Sequence, residues 1–139
     1  MRYLTLDEAA IFHGHRGPFL VIGYKAGEVA RKILSPVDEH DLYAKLFLPL
    51  RTPYSCIIDG VQCSTKCTLG KLNIEVIDNR GDLGSIVIEF RCRSSNKTLR
   101  LRVRKYIIEK LSMIRDISEG AKWVETLSAE QMFEIEIGT

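Results

Sequence analysis

Two histidines flank a single glycine at His13-Gly14-His15, and three of the four cysteines, Cys56, Cys63 and Cys67, fall within one short segment. Neutral imidazole is a standard ligand for zinc and its neighbours, and thiolate sulfur adds the softness that zinc, copper(I) and iron–sulfur centres select. Imidazoles two residues apart cannot share a helix face, but they converge on a bent backbone, which Gly14 makes easy. Cys63 and Cys67, four apart, would share a face if the chain is helical there, and Cys56 lies two turns before Cys63 on nearly the same face. None of these spacings is the CxxC knuckle of a zinc ribbon, and a free cysteine often only fills core. Donors supplied in two compact packets favour a metal centre all the same, because an ion needs several ligands at once. The expectation is a divalent metal, zinc first, held by His13, His15 and one or more of Cys56, Cys63 and Cys67.

The elements that must position these residues can be read around them. Thr5-Leu6-Asp7-Glu8 is a capping box and starts a short helix to about Phe12. Two glycines in the next five residues stop it, and Pro18 suits the first turn of a second helix running to Leu34. Along that helix Gly23, Ala26, Gly27 and Ala30 form a smooth strip for close packing. Ser35-Pro36 breaks the pattern. Leu42 to Leu48 reads as a strand, and Leu72 to Asp78 with Gly84 to Arg93 read as an antiparallel hairpin around Asn79-Arg80-Gly81-Asp82.

Thr98 to Arg104 alternates apolar residues with arginines, the period of a strand with one buried face that joins the same sheet. Tyr106 to Leu127 has a helical period. Ser128-Ala129-Glu130-Gln131 caps a last short helix before a terminal strand at Phe133 to Ile137, which could pair with a second copy of the chain. The fold expected is one α/β (α+β) domain over residues 1–139, an antiparallel or mixed sheet packed against N-terminal helices. Its 139 residues, 45% of them hydrophobic and 27% charged, suit a single folded core.

The first residues carry two acids where a secretion signal needs an apolar run, and no apolar stretch reaches the ~20 residues that cross a bilayer. A cytoplasmic protein with reduced thiols and no membrane partner is expected. A net charge of +2 gives little pull on polyanions, so nucleic acid is not an expected partner.

Phe12-His13-Gly14-His15 with Gly17-Pro18, Gly23-Tyr24-Lys25-Ala26-Gly27, Asp59-Gly60-Val61-Gln62 and Cys67-Thr68-Leu69-Gly70-Lys71 together resemble the FmdE family of formylmethanofuran dehydrogenase proteins over about residues 5 to 105. The resemblance implies a small α/β domain, often a homodimer, with His13, His15 and Cys67 lining a metal-binding cleft. Gly17 stands where many relatives carry a cysteine, and Lys66 where they carry a glycine, so Cys56 or Cys63 is left to complete the set. No C-terminal zinc ribbon, and so no second metal site, is expected. Members are associated with the molybdenum or tungsten enzyme that reduces carbon dioxide onto methanofuran in methanogenesis, and subunits of such an enzyme are the implied partners.

The leading functional expectation is therefore a zinc protein with His13, His15, Cys56 and Cys67 as ligands and Asp59 orienting an imidazole, accessory to that enzyme or to molybdenum metabolism. A second reading makes Cys67 a catalytic thiolate, nucleophilic or redox, activated by a histidine or by Lys66 or Lys71. A third takes Arg91, Arg93, Arg100, Arg102, Arg104 and Lys105 as an anion or nucleic-acid surface, although such rows are more often a solvated face.

Overall fold

The capping box forms as the sequence requires. Thr5 Oγ1 accepts from Glu8 N–H and Glu8 Oε1 accepts from Thr5 N–H, and the helix α1 spans Leu6–His13. The computed structural model describes residues 1–139 and continues with α2 (Pro18–Leu34), β1 (Leu42–Leu48), α3 (Cys56–Thr65), β2 (Ile74–Asp78) and β3 (Val87–Cys92). β4 (Thr98–Val103), α4 (Lys105–Met113), α5 (Ile117–Glu125), α6 (Ala129–Met132) and β5 (Phe133–Gly138) complete the chain. The architecture is a five-stranded mixed sheet in the order β2-β1-β3-β4-β5 with helices against one face, the α+β class expected.

β2 and β3 do not form the expected hairpin. β1 lies between them, parallel to β2 and antiparallel to β3. The reason is α3, which carries the chain back along the sheet after β1, so that the next strand must run parallel to it. The Asn79–Asp82 segment still turns, with Arg80 and Gly81 both at positive φ, but it serves a longer link. Asn79 N–H donates to Leu48 O, and its side-chain amide reaches Asp82 O and Ser85 O, steering the chain past the end of β1.

Three further readings are corrected. The helical run after Tyr106 is two helices, because the α4 C-cap Ile114 is extended and Asp116 caps α5 by accepting from Ser118 and Glu119 N–H. The terminal strand pairs with β4 of the same chain, Phe133 opposite Val103, which leaves no need for a second copy to receive it. Cys63 and Cys67 do not share a helix face, since α3 ends at Thr65 and Lys66 turns left-handed with φ 66°.

Ala44, Leu46, Ile88, Phe90, Leu99 and Leu101 are buried under the helices. Across the opposite face, successive strands place Glu75, Lys45, Glu89, Arg100 and Glu136 side by side. The signs alternate along this row, as cross-strand pairing favours. Arg100 Nε lies 3.1 Å from Glu89, and Arg102 and Arg104 both face Glu134. Arg100, Arg102 and Arg104 thus stand among carboxylates, while Arg91, Arg93 and Lys105 have no carboxylate partner.

The small-residue strip of α2 makes the close crossing its spacing predicts. A Cβ on Gly23 would overlap the Ile57 backbone, one on Gly27 the Ser64 hydroxyl, and one on Gly60 of α3 the Leu20 carbonyl. Two helix backbones in contact fix α3 on α2, and with it the wall of the site.

Candidate functional site

Gly14 closes α1 in a left-handed conformation, φ 109°, with its N–H on Ala10 O, a backbone state that residues with a side chain rarely adopt. His13 is therefore the last helical residue and His15 the first beyond the bend. Their ring centroids lie 4.8 Å apart. Arg16 pins the bend from both sides, to Asp7 at 2.8 Å on α1 and to Glu125 at 3.9 Å on α5.

Asp59 of α3 supports the first imidazole. His13 Nδ1 donates to Asp59 Oδ2 at 2.6 Å, and Gln62 donates to the other carboxylate oxygen at 3.4 Å. His13 Nε2 is buried and has no hydrogen-bond partner. With the proton on Nδ1 engaged by a carboxylate, Nε2 of the neutral ring is a bare lone pair. That is the geometry in which an imidazole is presented to a metal, and also one that a hydrogen-bond donor would satisfy.

Both histidines line a cleft of about 230 Å³. Cys56, at the first turn of α3, opens into it, beside Pro53. The floor is the start of α2, Gly17 through Leu20, and the far wall is Leu111 in the last turn of α4 and Ile114 just after it, with Asp116, Ile117 and Gly120 at α5. This far wall was missed in the sequence; nothing local in residues 111 to 120 distinguishes it from an ordinary amphipathic pair of helices. A Cβ at Gly17 would lie 3.3 Å from His15 Nε2, so the space beside that ring is kept free by the glycine.

The other cysteines lie elsewhere. Cys67 is fully buried in the core, its N–H bound by Thr65 Oγ1 and its thiol donating to Leu42 O at 3.4 Å. Burial pushes its thiol up to about 11 against smaller opposing effects from Thr65 and Lys71. Cys63 packs with Ala9 and Tyr24 between the helices, and burial, reinforced by the Asp59 charge, raises it too to about 11. Cys56 is only half-buried; its thiol is raised by burial and then by Asp59. The structure thus places His13, His15 and Cys56 on one cleft, with Asp59 behind His13, and leaves Cys63 and Cys67 apart. No three His, Cys, Asp or Glu side chains converge closely enough to form a ready-made metal cage.

Tyr24 and Lys25, inside the Gly23–Gly27 motif of α2, have structural partners. Tyr24 hydroxyl donates to Leu4 O, holding the N-terminal segment. Lys25 Nζ donates to Val124, Glu125 and Leu127 carbonyls, closing the end of α5 onto α2.

A mixed sheet with a histidine-lined cleft between its covering helices defines a small α+β domain. The chain belongs to the family described as FmdE, Molybdenum formylmethanofuran dehydrogenase operon, which it matches over residues 12–135. It is also 32% identical over 109 residues, 73% of its length, to a probable S-adenosyl-L-methionine-binding protein of Archaeoglobus fulgidus. The match spans 28% of that longer relative. No helix is long and apolar enough to cross a membrane.

Proposed function

We propose that this chain is a zinc-binding FmdE-family protein, accessory to formylmethanofuran dehydrogenase or to the supply of its molybdenum or tungsten centre, and working as a cytoplasmic homodimer. One observation carries the metal reading: the buried, unpartnered Nε2 of His13, backed by Asp59 on Nδ1. His15 and Cys56 are the further donors on the same cleft, and water or a bound molecule fills the remaining positions. The donor types fit a divalent ion of intermediate softness, although the chain by itself gathers no complete cage. When bound, zinc would supply Lewis acidity and a water acidic enough to ionise near neutral pH. Asp59 orients the imidazole.

Cys67, one of the expected ligands, is not part of this proposal, because its thiol is committed to the core beneath β1. Zinc titration of tag-free protein against a chromophoric chelator is the test. Wild type and Cys67→Ser should bind zinc equally, while His13→Ala should lose it. Equal binding by the His13 and wild-type proteins would overturn the reading. Light scattering tests the dimer: a mass of one chain would remove that element of the proposal.

The thiol alternative moves with the geometry from Cys67 to Cys56, which shares its cleft with both histidines. Iodoacetamide should modify Cys56 first in the native protein, and bound zinc should slow that modification. Cys63, Cys67 and Cys92, all buried, should react only after unfolding.

A further inference from the structure

The first turn of α3 opens to the histidine cleft, whereas its last turn and the loop beyond line a separate groove that shares no residue with that cleft. At about 580 Å³ this groove falls within the roughly 300–1,000 Å³ of sites for small organic ligands. The motif Cys67-Thr68-Leu69-Gly70-Lys71 runs along it. Cys67 is turned into the core, and the polar members Thr68 and Lys71 line the groove. Their placement is fixed by hydrogen bonds: Thr68 N–H donates to Asn73 Oδ1 at 2.8 Å, Leu69 N–H to Gln62 Oε1 at 3.1 Å, and Lys71 Nζ to Thr68 Oγ1 at 2.8 Å.

The charge of the groove is one-sided. Arg2, Lys66 and Lys71 line it with Glu8 as the one acid, a surplus of two positive charges that equals the net charge of the whole chain. The rest of the molecule is therefore balanced. None of the three cations is ion-paired, whereas Arg100, Arg102 and Arg104 on the sheet all face carboxylates. Glu8 Oε1 is engaged by Thr5 N–H in the capping box. Lys66 and Lys71 are half-buried, and the Lys66 ammonium lies 5.7 Å from the centre of the Tyr3 ring, against which Arg31 also packs at 4.1 Å. These contacts fasten the N-terminal segment as the opposite wall. A concave surface lined by charge of one sign focuses the field and gathers counter-charged ligands. A phosphate group carries close to two negative charges on three acceptor oxygens and matches the surplus, where a single carboxylate would neutralise half of it.

We infer that this groove binds a phosphate group, held by the ammonium groups of Lys66 and Lys71 and met by Arg2 from the N-terminal segment. The site is independent of the metal reading of the histidine cleft. Free phosphate and the phosphate of a small organic molecule present the same chemistry to the lysines, and the size of the groove leaves room for the body of the second.

The test uses metal-free protein in phosphate-free buffer of low ionic strength, titrated with inorganic phosphate, adenosine monophosphate and adenosine while amide resonances are followed by NMR. Phosphate and the nucleotide should shift Lys66, Thr68 and Lys71 and leave Gly17 and Gly120 of the histidine cleft unmoved, and adenosine should shift neither set. Tighter binding of the nucleotide than of phosphate assigns the group to a small molecule; equal or weaker binding assigns it to the free anion. Lys71→Gln should weaken binding by roughly tenfold or more, the worth of a charge-assisted hydrogen bond. Lys105→Gln, which removes an exposed and unpaired lysine outside the groove, should leave it unchanged. Should Lys71→Gln disturb the loop, Lys66→Asn, which suits the left-handed backbone at that position, should give the same loss. Equal weakening by the Lys71 and Lys105 variants, shifts from adenosine as large as those from the nucleotide, or no shift in the loop would overturn the inference whatever zinc does.

Discussion

His13 and Asp59 are 46 residues apart in the chain and 2.6 Å apart in the fold, joined between the last residue of α1 and the first turn of α3. The contact ties the histidine bend to the one helix whose backbone rests directly on α2, so the imidazole is held by a rigid element and not by its own loop. Carboxylate partners of this kind fix ring orientation and raise ligand basicity. Asp59→Asn keeps the shape and removes the charge. Its zinc affinity should fall by roughly 10–100-fold, measured by chelator competition, with an unchanged circular dichroism spectrum.

The crossing that carries Asp59 depends on Gly60. A methyl group there would overlap Leu20 O and crowd Tyr24 N, both backbone atoms of α2 that cannot rotate away. Gly60→Ala should therefore destabilise the domain by ~1–3 kcal/mol or more in urea unfolding. Gly70, around which nothing lies within 4 Å of an added Cβ, is the control, and Gly70→Ala should change stability by less than ~0.5 kcal/mol.

These two residues also mark how far the sequence could be read. The helix starts, the α2 stripe and the alternating strands are local patterns, set by capping chemistry and by periods of 3.6 and 2, and they were legible. The placement of β1 between β2 and β3 was not, because two strands around a good turn look alike whether they pair with each other or with a third. At the site, the histidine pair and Asp59 could be named from residue type. Cys67 could not be excluded: whether a cysteine after a helix turns to the cleft or to the core depends on one residue, Lys66, adopting a left-handed conformation.

Asp41 ties the loop before β1 to the loop after β3. Its carboxylate accepts from Val37 N–H, from Ser94 N–H and hydroxyl, and from the Cys92 thiol. Burial alone would raise its pKa, but these donors together bring it down to about 2 from 3.8. A carboxyl group more acidic in the folded than in the unfolded chain adds stability that is complete above the unfolded value and is lost as pH falls from there through about 2. Asp41→Asn should lose roughly 1–3 kcal/mol at neutral pH and show a flatter stability profile between pH 4 and 2, measured by urea unfolding across that range. An unchanged slope would mean that other carboxyl groups control acid unfolding.

Lys25 reaches from the middle of α2 to the carbonyls that end α5, at 2.7–3.1 Å. Val124 O also accepts from Leu127 N–H, whereas Glu125 and Leu127 lie at or beyond the last turn, and a cation at a helix C-terminus meets the favourable end of the dipole. Because Ile117 and Gly120 of the same helix form the far wall of the cleft, the lysine holds that wall in place from 100 residues away in sequence. Lys25→Met retains the apolar stem and removes the three donors. Its stability should drop by ~1.5–3 kcal/mol, the worth of hydrogen bonds to a charged group. Hydrogen exchange should quicken in Ile117–Glu125 and stay slow in β3 and β4, since only α5 loses its anchor. If exchange instead rises equally in helix and sheet, the lysine supports the whole core, and the cleft wall has no separate fastening.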